Sequence, residues 1–213
     1  MSVYKEDGNK FLAQVHNLKS AEDCRDLYND WAETYDTDVY GAEDYVAPML
    51  VAKAVQDNKG NVAGDVFDAG CGTGLVGVAL AGIGAKSIDG VDVSPGMLKV
   101  AEKTGVYRLL EQADLSRAIT KYQDESYDVV TCVGTLTDGH VGPVPAMREF
   151  VRIVKQGGLV VATVREDVWE SRGYEAETDR LKSDGLVDVV SAENAEYMRA
   201  AGVKARVLVL RKR

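Results

Sequence analysis

The stretch "DVFDAGCGTGLVGVAL", residues 65–80, decides how this chain is read. It is a short apolar run, a glycine-rich turn and a run of small apolar residues. Two frames fit the turn. "GTGLVG", Gly72 to Gly77, satisfies G-x-G-x-x-G, the turn that cradles a pyrophosphate between a strand and a helix. Four residues earlier, Asp68-x-Gly70-x-Gly72-x-Gly74 sets a carboxylate beside the same glycines. An acid there is electrostatically poor for a pyrophosphate and good for a cation. Glycines serve either frame, because the backbone must turn sharply and approach a ligand closely.

Working outward, "DVFDAG" reads as a strand and "GLVGVALAGIG" as a helix. "SIDGVDVS" is a second strand, and "PGMLKVAEKTG" a helix with Pro95 at its first position and Gly105 past its end. "VYRLLEQADL" is the third strand, followed by a short helix near 116–121. "YDVVTCVGTL" is a largely apolar run rich in Val and Thr, as for a strand buried on both faces. "PAMREFVRIVKQGG" is an amphipathic helix ending at Gly157-Gly158, and "GLVVATVR" the fifth strand. This alternation predicts a parallel sheet with right-handed crossovers. A polar helix, "WESRGYEAETDRLKSDG", then leads to strands "LVDVVSAE" and "VKARVLVLRKR", separated by a short helical "AEYMRAAG". They predict a closing hairpin whose last strand runs antiparallel. Upstream, residues 20–40 predict a helix opened by Ser20 and the Glu22–Asp23 pair, with Leu27 and Trp31 on one face. Residues 43–60 predict another, with Pro48 in its first turn and Gly60 beyond its end.

The expected fold is thus a doubly wound α/β sheet, read as a single domain over 1–213. Residues 1–60 form a helical lid and 61–213 the core. With 213 residues, 46% of them hydrophobic, the chain can bury a full core. A net charge of −9 argues against nucleic acid, whose affinity comes from cations neutralising phosphates. The one basic cluster, "RKR" at 211–213, reads as a solubilising tail. No apolar run suggests a signal or a membrane span, and three cysteines (Cys24, Cys71, Cys132) without C-x-x-C spacing predict neither disulfides nor zinc. A cytoplasmic protein is expected. The sequence sets no oligomeric state.

In an open α/β sheet, ligands bind at the carboxyl ends of the strands. Those ends carry Asp68-Ala69-Gly70, Asp92-Val93-Ser94, Asp114-Leu115, Thr135-Leu136 and Arg165-Glu166. One such aspartate is usually a helix cap. Three in succession point to a ligand. Asp92 lies 20 residues past Gly72, where a carboxylate meets a ribose hydroxyl, a feature both frames share. Asp114 can accept from an exocyclic amine. No second domain follows to hold a hydride acceptor.

With these residues in view, the chain resembles the class I S-adenosylmethionine-dependent methyltransferases from about residue 28 to its end, "VFDAGCGTG" being specific to that superfamily. The resemblance implies a seven-stranded sheet with the last strand antiparallel, and S-adenosylmethionine as cofactor. It implies that Asp68, Ala69, Gly70, Gly72 and Gly74 surround the methionine part. Asp92 and Val93 would meet the ribose, Met97 the adenine face, Asp114 and Leu115 the adenine edge, and Val133 would border the site. "YNDWAETYDTDVYGAEDYVAPML" and "VGTLTDGHVGP" further resemble the methyltransferase-like proteins of the Williams–Beuren syndrome region type. In those, upstream aromatics close over the cofactor, which nominates Trp31 and Tyr35.

Methyl transfer needs alignment and water exclusion, plus a base for an unactivated alcohol or amide. The acceptor side is expected at Val133-Gly134-Thr135 and the following loop. His140 is read there as a general base or hydrogen-bond partner, or as a solvated loop histidine. Arg165 and Trp169 either line the acceptor side or form a salt bridge and a packing contact. Asp138, Glu166 and Asp167 read as solvated loop acids rather than a Mg²⁺ site, and His16 as exposed. The absence of an Asn- or Asp-Pro-Pro-aromatic or a Pro-Cys after the fourth strand lowers nucleobase methylation further. A small-molecule or protein acceptor is expected. The alternatives are a non-catalytic cofactor-binding module and an NAD(P)-dependent oxidoreductase. Asp68→Ala is expected to weaken cofactor binding, and Gly77→Ala to act mainly on stability.

Overall fold

The computed structural model describes residues 10–15 and 18–213. The His16 expectation lies outside them. Seven strands form one sheet: β1 (Asp65–Ala69), β2 (Ser87–Asp92), β3 (Leu109–Gln112), β4 (Tyr127–Leu136), β5 (Val154–Arg165), β6 (Val187–Met198) and β7 (Val203–Lys212). Their order is β3-β2-β1-β4-β5-β7-β6. The first five run parallel, whereas β7 is antiparallel to both β5 and β6. The doubly wound sheet with an antiparallel last strand is therefore as the sequence implied. Strand order reverses between β1 and β4, so the glycine loop after β1 opens at the switch point, where ligands bind.

Alternation along the strands divides the core. Phe67, Val130 and Cys132 face one layer, built with Met147 and Phe150 of α6 (Ala146–Ile153) and Leu181 of α7 (Tyr174–Ser183). Val66, Val129 and Val133 face the other, built with Val51 and Val55 of α3 (Ala47–Asp57) and Leu80 of α4 (Leu75–Gly82). Pro48 sits in the first turn of α3, where its missing N–H costs nothing. Helix α5 (Pro95–Glu102) follows β2, capped by the Ser94 hydroxyl, which accepts from the Met97 N–H. Before α3 come α1 (Lys10–Val15), α2 (Ala21–Trp31) and a π-helical turn over Asp36–Gly41.

Four elements depart from the sequence expectation. The helix expected over 20–40 divides into α2 and the π turn. Asp38 gathers the Trp31 indole N–H (2.7 Å) and the Thr34 hydroxyl (2.9 Å) between them. Residues 116–121 are turns rather than a helix. Asp114 takes the Ser116 N–H and hydroxyl, and Arg152 takes the Ile119 and Tyr122 carbonyls, so local side chains satisfy that backbone. Helix α6 stops at Ile153, because the buried, β-branched Val154 turns extended and pairs with Tyr127. "AEYMRAAG" is not helical either. β7 templates β6 through Met198, which also bridges to Tyr45. Helix propensity is a weak prior against a long paired strand.

Candidate active site

The carboxyl ends of β1, β2 and β4, with the segment after β3, border one cleft, whose empty space is about 870 Å³ with the open solvent at its mouth included. One end is the glycine loop. Gly70 and Gly72 have φ of +72° and +54°, values costly for any residue with a Cβ. A Cβ on Gly70 would overlap Thr135 Oγ1, whereas Gly72 faces open space. The Asp92 carboxylate, at the end of β2, accepts from the Gly72 and Ser94 N–H groups, both at 2.9 Å. Burial raises its pKa and these backbone donors oppose the rise. Its position joins the glycine loop after β1 to the end of β2.

Asp68 is fully buried beneath the loop and does not line the cleft. Its carboxylate accepts from the Tyr107 hydroxyl at 2.7 Å and the Thr131 hydroxyl at 2.9 Å. Burial still pushes its pKa up to about 6 against those two donors. Tyr107 is boxed by glycines. A Cβ on Gly90 would lie 2.8 Å from the ring and one on Gly74 3.1 Å, while one on Gly77 would overlap the ring's hydroxyl end. The loop, its helix and the buried acid therefore meet in one side chain.

The other end of the cleft is aromatic. Tyr28 from α2, Tyr35, Tyr45 and His140 line it, with Pro48, Val133, Gly134, Thr135 and Val141. The His140 Nδ1–H donates to the Asp138 carbonyl at 2.9 Å, since a carbonyl can only accept. Its Nε2 then carries the lone pair, and the Tyr28 hydroxyl donates to it at 2.7 Å. Cys24, one turn before Tyr28, donates Sγ–H to the Gly139 carbonyl at 3.2 Å. Helix α2 thus holds the 135–141 loop at two points. It is tied to the cofactor end as well: Asn29 accepts from the Ser94 hydroxyl and the Gly96 N–H, and Asp36 of the π turn accepts from the Thr73 hydroxyl at 2.5 Å.

Of the residues singled out from sequence, the structure brings Tyr35, Gly70, Gly72, Asp92, Val93, Met97, Asp114, Leu115, Val133, Thr135 and His140 to the cleft wall. Asp68, Ala69 and Gly74 lie behind the loop. Trp31 is buried, stacked between Phe11 and Tyr28 at centroid distances of 5.4 and 5.9 Å. Arg165 pairs with Asp167 at 2.7 Å, and Trp169 is buried under the Arg206 guanidinium, so the salt-bridge and packing readings describe them. Asp138 pairs with Arg172, and Glu166 accepts from Asn194. Among the described residues no three His, Cys, Asp or Glu side chains converge as a metal site. Sequence reasoning missed Tyr28, Tyr45, Thr73 and Tyr107. Tyr28 had a signal, three and seven residues before the nominated Trp31 and Tyr35 on one helical face.

Residues 67–162 match the methyltransferase domain family. The chain is 32% identical over 209 residues to Methyltransferase-like protein 27 of Homo sapiens, covering 93% of this chain and 84% of that one. Among solved structures, magnesium protoporphyrin IX methyltransferase from Synechocystis, with S-adenosylmethionine bound, superposes with a TM-score of 0.69 at 19% identity over 92% of this chain and 98% of that one. The [4+2]-cyclase SpnF superposes with 0.68 at 16% over 92% and 97%. These two likenesses concern the fold, which hosts more than one chemistry. The donor set suits S-adenosylmethionine: open backbone at Gly72, a carboxylate at Asp92, apolar Met97 and Leu115 beside it, and an anion beneath the loop. The chain belongs to the class I S-adenosylmethionine-dependent methyltransferases, and S-adenosylmethionine is its cofactor.

Proposed function

We propose that this chain transfers the methyl group to a small-molecule acceptor by direct in-line displacement. The observation that carries this reading is the single cleft running from the Gly70–Thr73 loop and Asp92 to the wall of Tyr28, Tyr35, Tyr45 and His140. When bound, S-adenosylmethionine supplies a methyl group activated by its sulfonium. Gly70 and Gly72 offer backbone to the methionine part, Asp92 accepts from the ribose, and Asp114 accepts from the adenine amine, between Met97 and Leu115. Asp68 contributes from behind the loop as a buried anion, whose field on a cation is stronger there than in water.

The other wall belongs to the acceptor. Thr135 closes on Gly70, and the tyrosines exclude water, which orients a bound pair and gains the most when little reorganisation is left. His140 presents a basic nitrogen toward this end. Residues 21–41 act as the cover, since α2 and the π turn bond to both ends of the cleft. A half-enclosed, mostly apolar wall favours a small molecule over a protein tail. The acidic charge and three free cysteines fit a cytoplasmic setting.

The test is transfer of labelled methyl from S-adenosylmethionine into a desalted protein extract and into a deproteinised metabolite extract. Label in the metabolite fraction supports the proposal. Label confined to protein overturns it.

A further inference from the structure

The pairing of Tyr28 with His140 identifies more than a base. The His140 ring is held in one tautomer, because its Nδ1–H is spent on the Asp138 carbonyl. Its one bare nitrogen, Nε2, already receives the Tyr28 hydroxyl at 2.7 Å. For the imidazole to take a proton directly from an acceptor, Tyr28 would first have to leave. The phenol itself lines the cleft, and burial holds its pKa well above the ordinary tyrosine value, so it does not reside there as a phenolate. Its oxygen keeps a lone pair for a third group while its proton points at the imidazole.

The cleft wall also limits the acceptor's charge. Asp92 and Asp114, both at the cofactor end, are the only Asp, Glu, Lys or Arg side chains lining it among the described residues. Among the described residues no Lys or Arg lines it to meet a carboxylate or phosphate. The lining of the cleft also includes the apolar Pro48, Val133 and Val141 with Tyr35 and Tyr45.

Resting on the reading of the cleft given above, we propose that the acceptor is an uncharged hydroxyl compound with an apolar body, and that Tyr28 is a catalytic residue relaying its proton to His140. The acceptor oxygen forms its bond to the methyl carbon as the methyl–sulfur bond breaks, the electron pair remaining on sulfur. The acceptor's proton passes to the Tyr28 oxygen, and the Tyr28 proton passes to Nε2. One positive charge is lost at sulfur and one appears on the imidazolium, whose Nδ1–H stays on the Asp138 carbonyl. Asp138 is held in turn by Arg172 at 2.6 Å. A neutral amine needs no such relay, since its lone pair is available without prior proton loss.

The probes are phenol and thiophenol, a matched pair in which the thiol reaches its anion unaided near pH 8. The full chain is assayed with S-adenosylmethionine as wild type, Tyr28→Phe, His140→Gln and the double variant. The expected result is methylation of phenol, with the phenol-to-thiophenol ratio falling about 100-fold in each single variant and no further in the double. S-adenosylmethionine affinity, measured by calorimetry, stays within about threefold of wild type in every variant. A readout independent of turnover is ¹⁵N NMR of His140, assigned with the His140→Gln variant. It should show a protonated Nδ1 and an Nε2 shifted by an accepted hydrogen bond that Tyr28→Phe removes. An Nε2–H tautomer, an unchanged ratio, or equal losses for both probes would overturn the relay. Refusal of phenol by a wild type that binds S-adenosylmethionine would overturn the acceptor class, as would methylation of benzylamine or benzoate in its place. Failure to bind S-adenosylmethionine at all would instead count against the reading of the cleft.

Discussion

Tyr107→Phe removes one oxygen from the point where the glycine loop, helix α4 and the buried carboxylate meet. The ring keeps its box against Gly74, Gly77 and Gly90, so packing is conserved and the effect isolates the bond to Asp68. In the wild type, the Asp68 pKa is raised from an ordinary 3.8 to about 6, mainly by burial. A raised carboxylate favours the folded state most when protonated. Its contribution is complete below the unfolded value and is lost as pH rises through about 6, amounting to about 3 kcal/mol at 1.36 kcal/mol per unit. The Tyr107 hydroxyl opposes this loss by stabilising the anion. Without it, Asp68 keeps only Thr131. At pH 8 the variant should lose about 1.5–3 kcal/mol, the worth of a hydrogen bond to a charged group. At pH 5, with Asp68 protonated in both proteins, the loss should shrink to about 0.5–1.5 kcal/mol. Urea denaturation at the two pH values measures the difference, and the midpoint of thermal unfolding should fall by about 3–12 °C at pH 8. Equal losses at both pH values, or a variant as stable as wild type at pH 8, would refute the reasoning.

Three other substitutions test different parts of the account. Gly70→Ala, at φ +72° and against Thr135, should weaken S-adenosylmethionine binding at least 10-fold by calorimetry, while Gly82→Ala, with open space at its Cβ, should leave binding unchanged and change stability by no more than about 1 kcal/mol. Trp31→Ala should cost about 3–5 kcal/mol in urea, because the site is fully buried and its indole N–H anchors Asp38. Thr73→Ala releases Asp36, and amide hydrogen exchange over residues 36–41 should quicken with the rest of the sheet unchanged.

How far the sequence carried the reading follows from the range of each interaction. Strand–helix alternation and the Asp68-to-Gly74 frame are local patterns, and they predicted the mostly parallel sheet and the glycine loop at the carboxyl end of its first strand. Asp92 sits on a strand end and Met97 on a helix start whose positions follow from that alternation, whereas Leu115 lies in the turn past β3, which ends at Gln112 rather than at Leu115. What stayed hidden depends on contacts between distant segments. Tyr107 reaches Asp68 across 39 residues, and Tyr28 reaches His140 across 112. No spacing announces such pairs. The family resemblance nominates Trp31 with Tyr35 and passes over Tyr28 on the same face; only packing shows that Trp31 is buried while Tyr28 lines the cleft. Gly77 and Asp68 looked like separate tests of stability and binding. Both act on Tyr107, so a Gly77→Ala variant disturbs the partner of Asp68 as well.

The central claim is that the cleft at the switch point holds S-adenosylmethionine through the Asp68–Gly74 loop and Asp92. Titration calorimetry of the full chain with S-adenosylmethionine, S-adenosylhomocysteine and NADH, repeated on Asp92→Ala, tests it most directly. The account predicts one site for each of the first two ligands, no heat from NADH, and at least a 10-fold loss of affinity in the variant. Binding of NADH without S-adenosylmethionine, or an Asp92→Ala protein that binds S-adenosylmethionine as tightly as wild type, would contradict it.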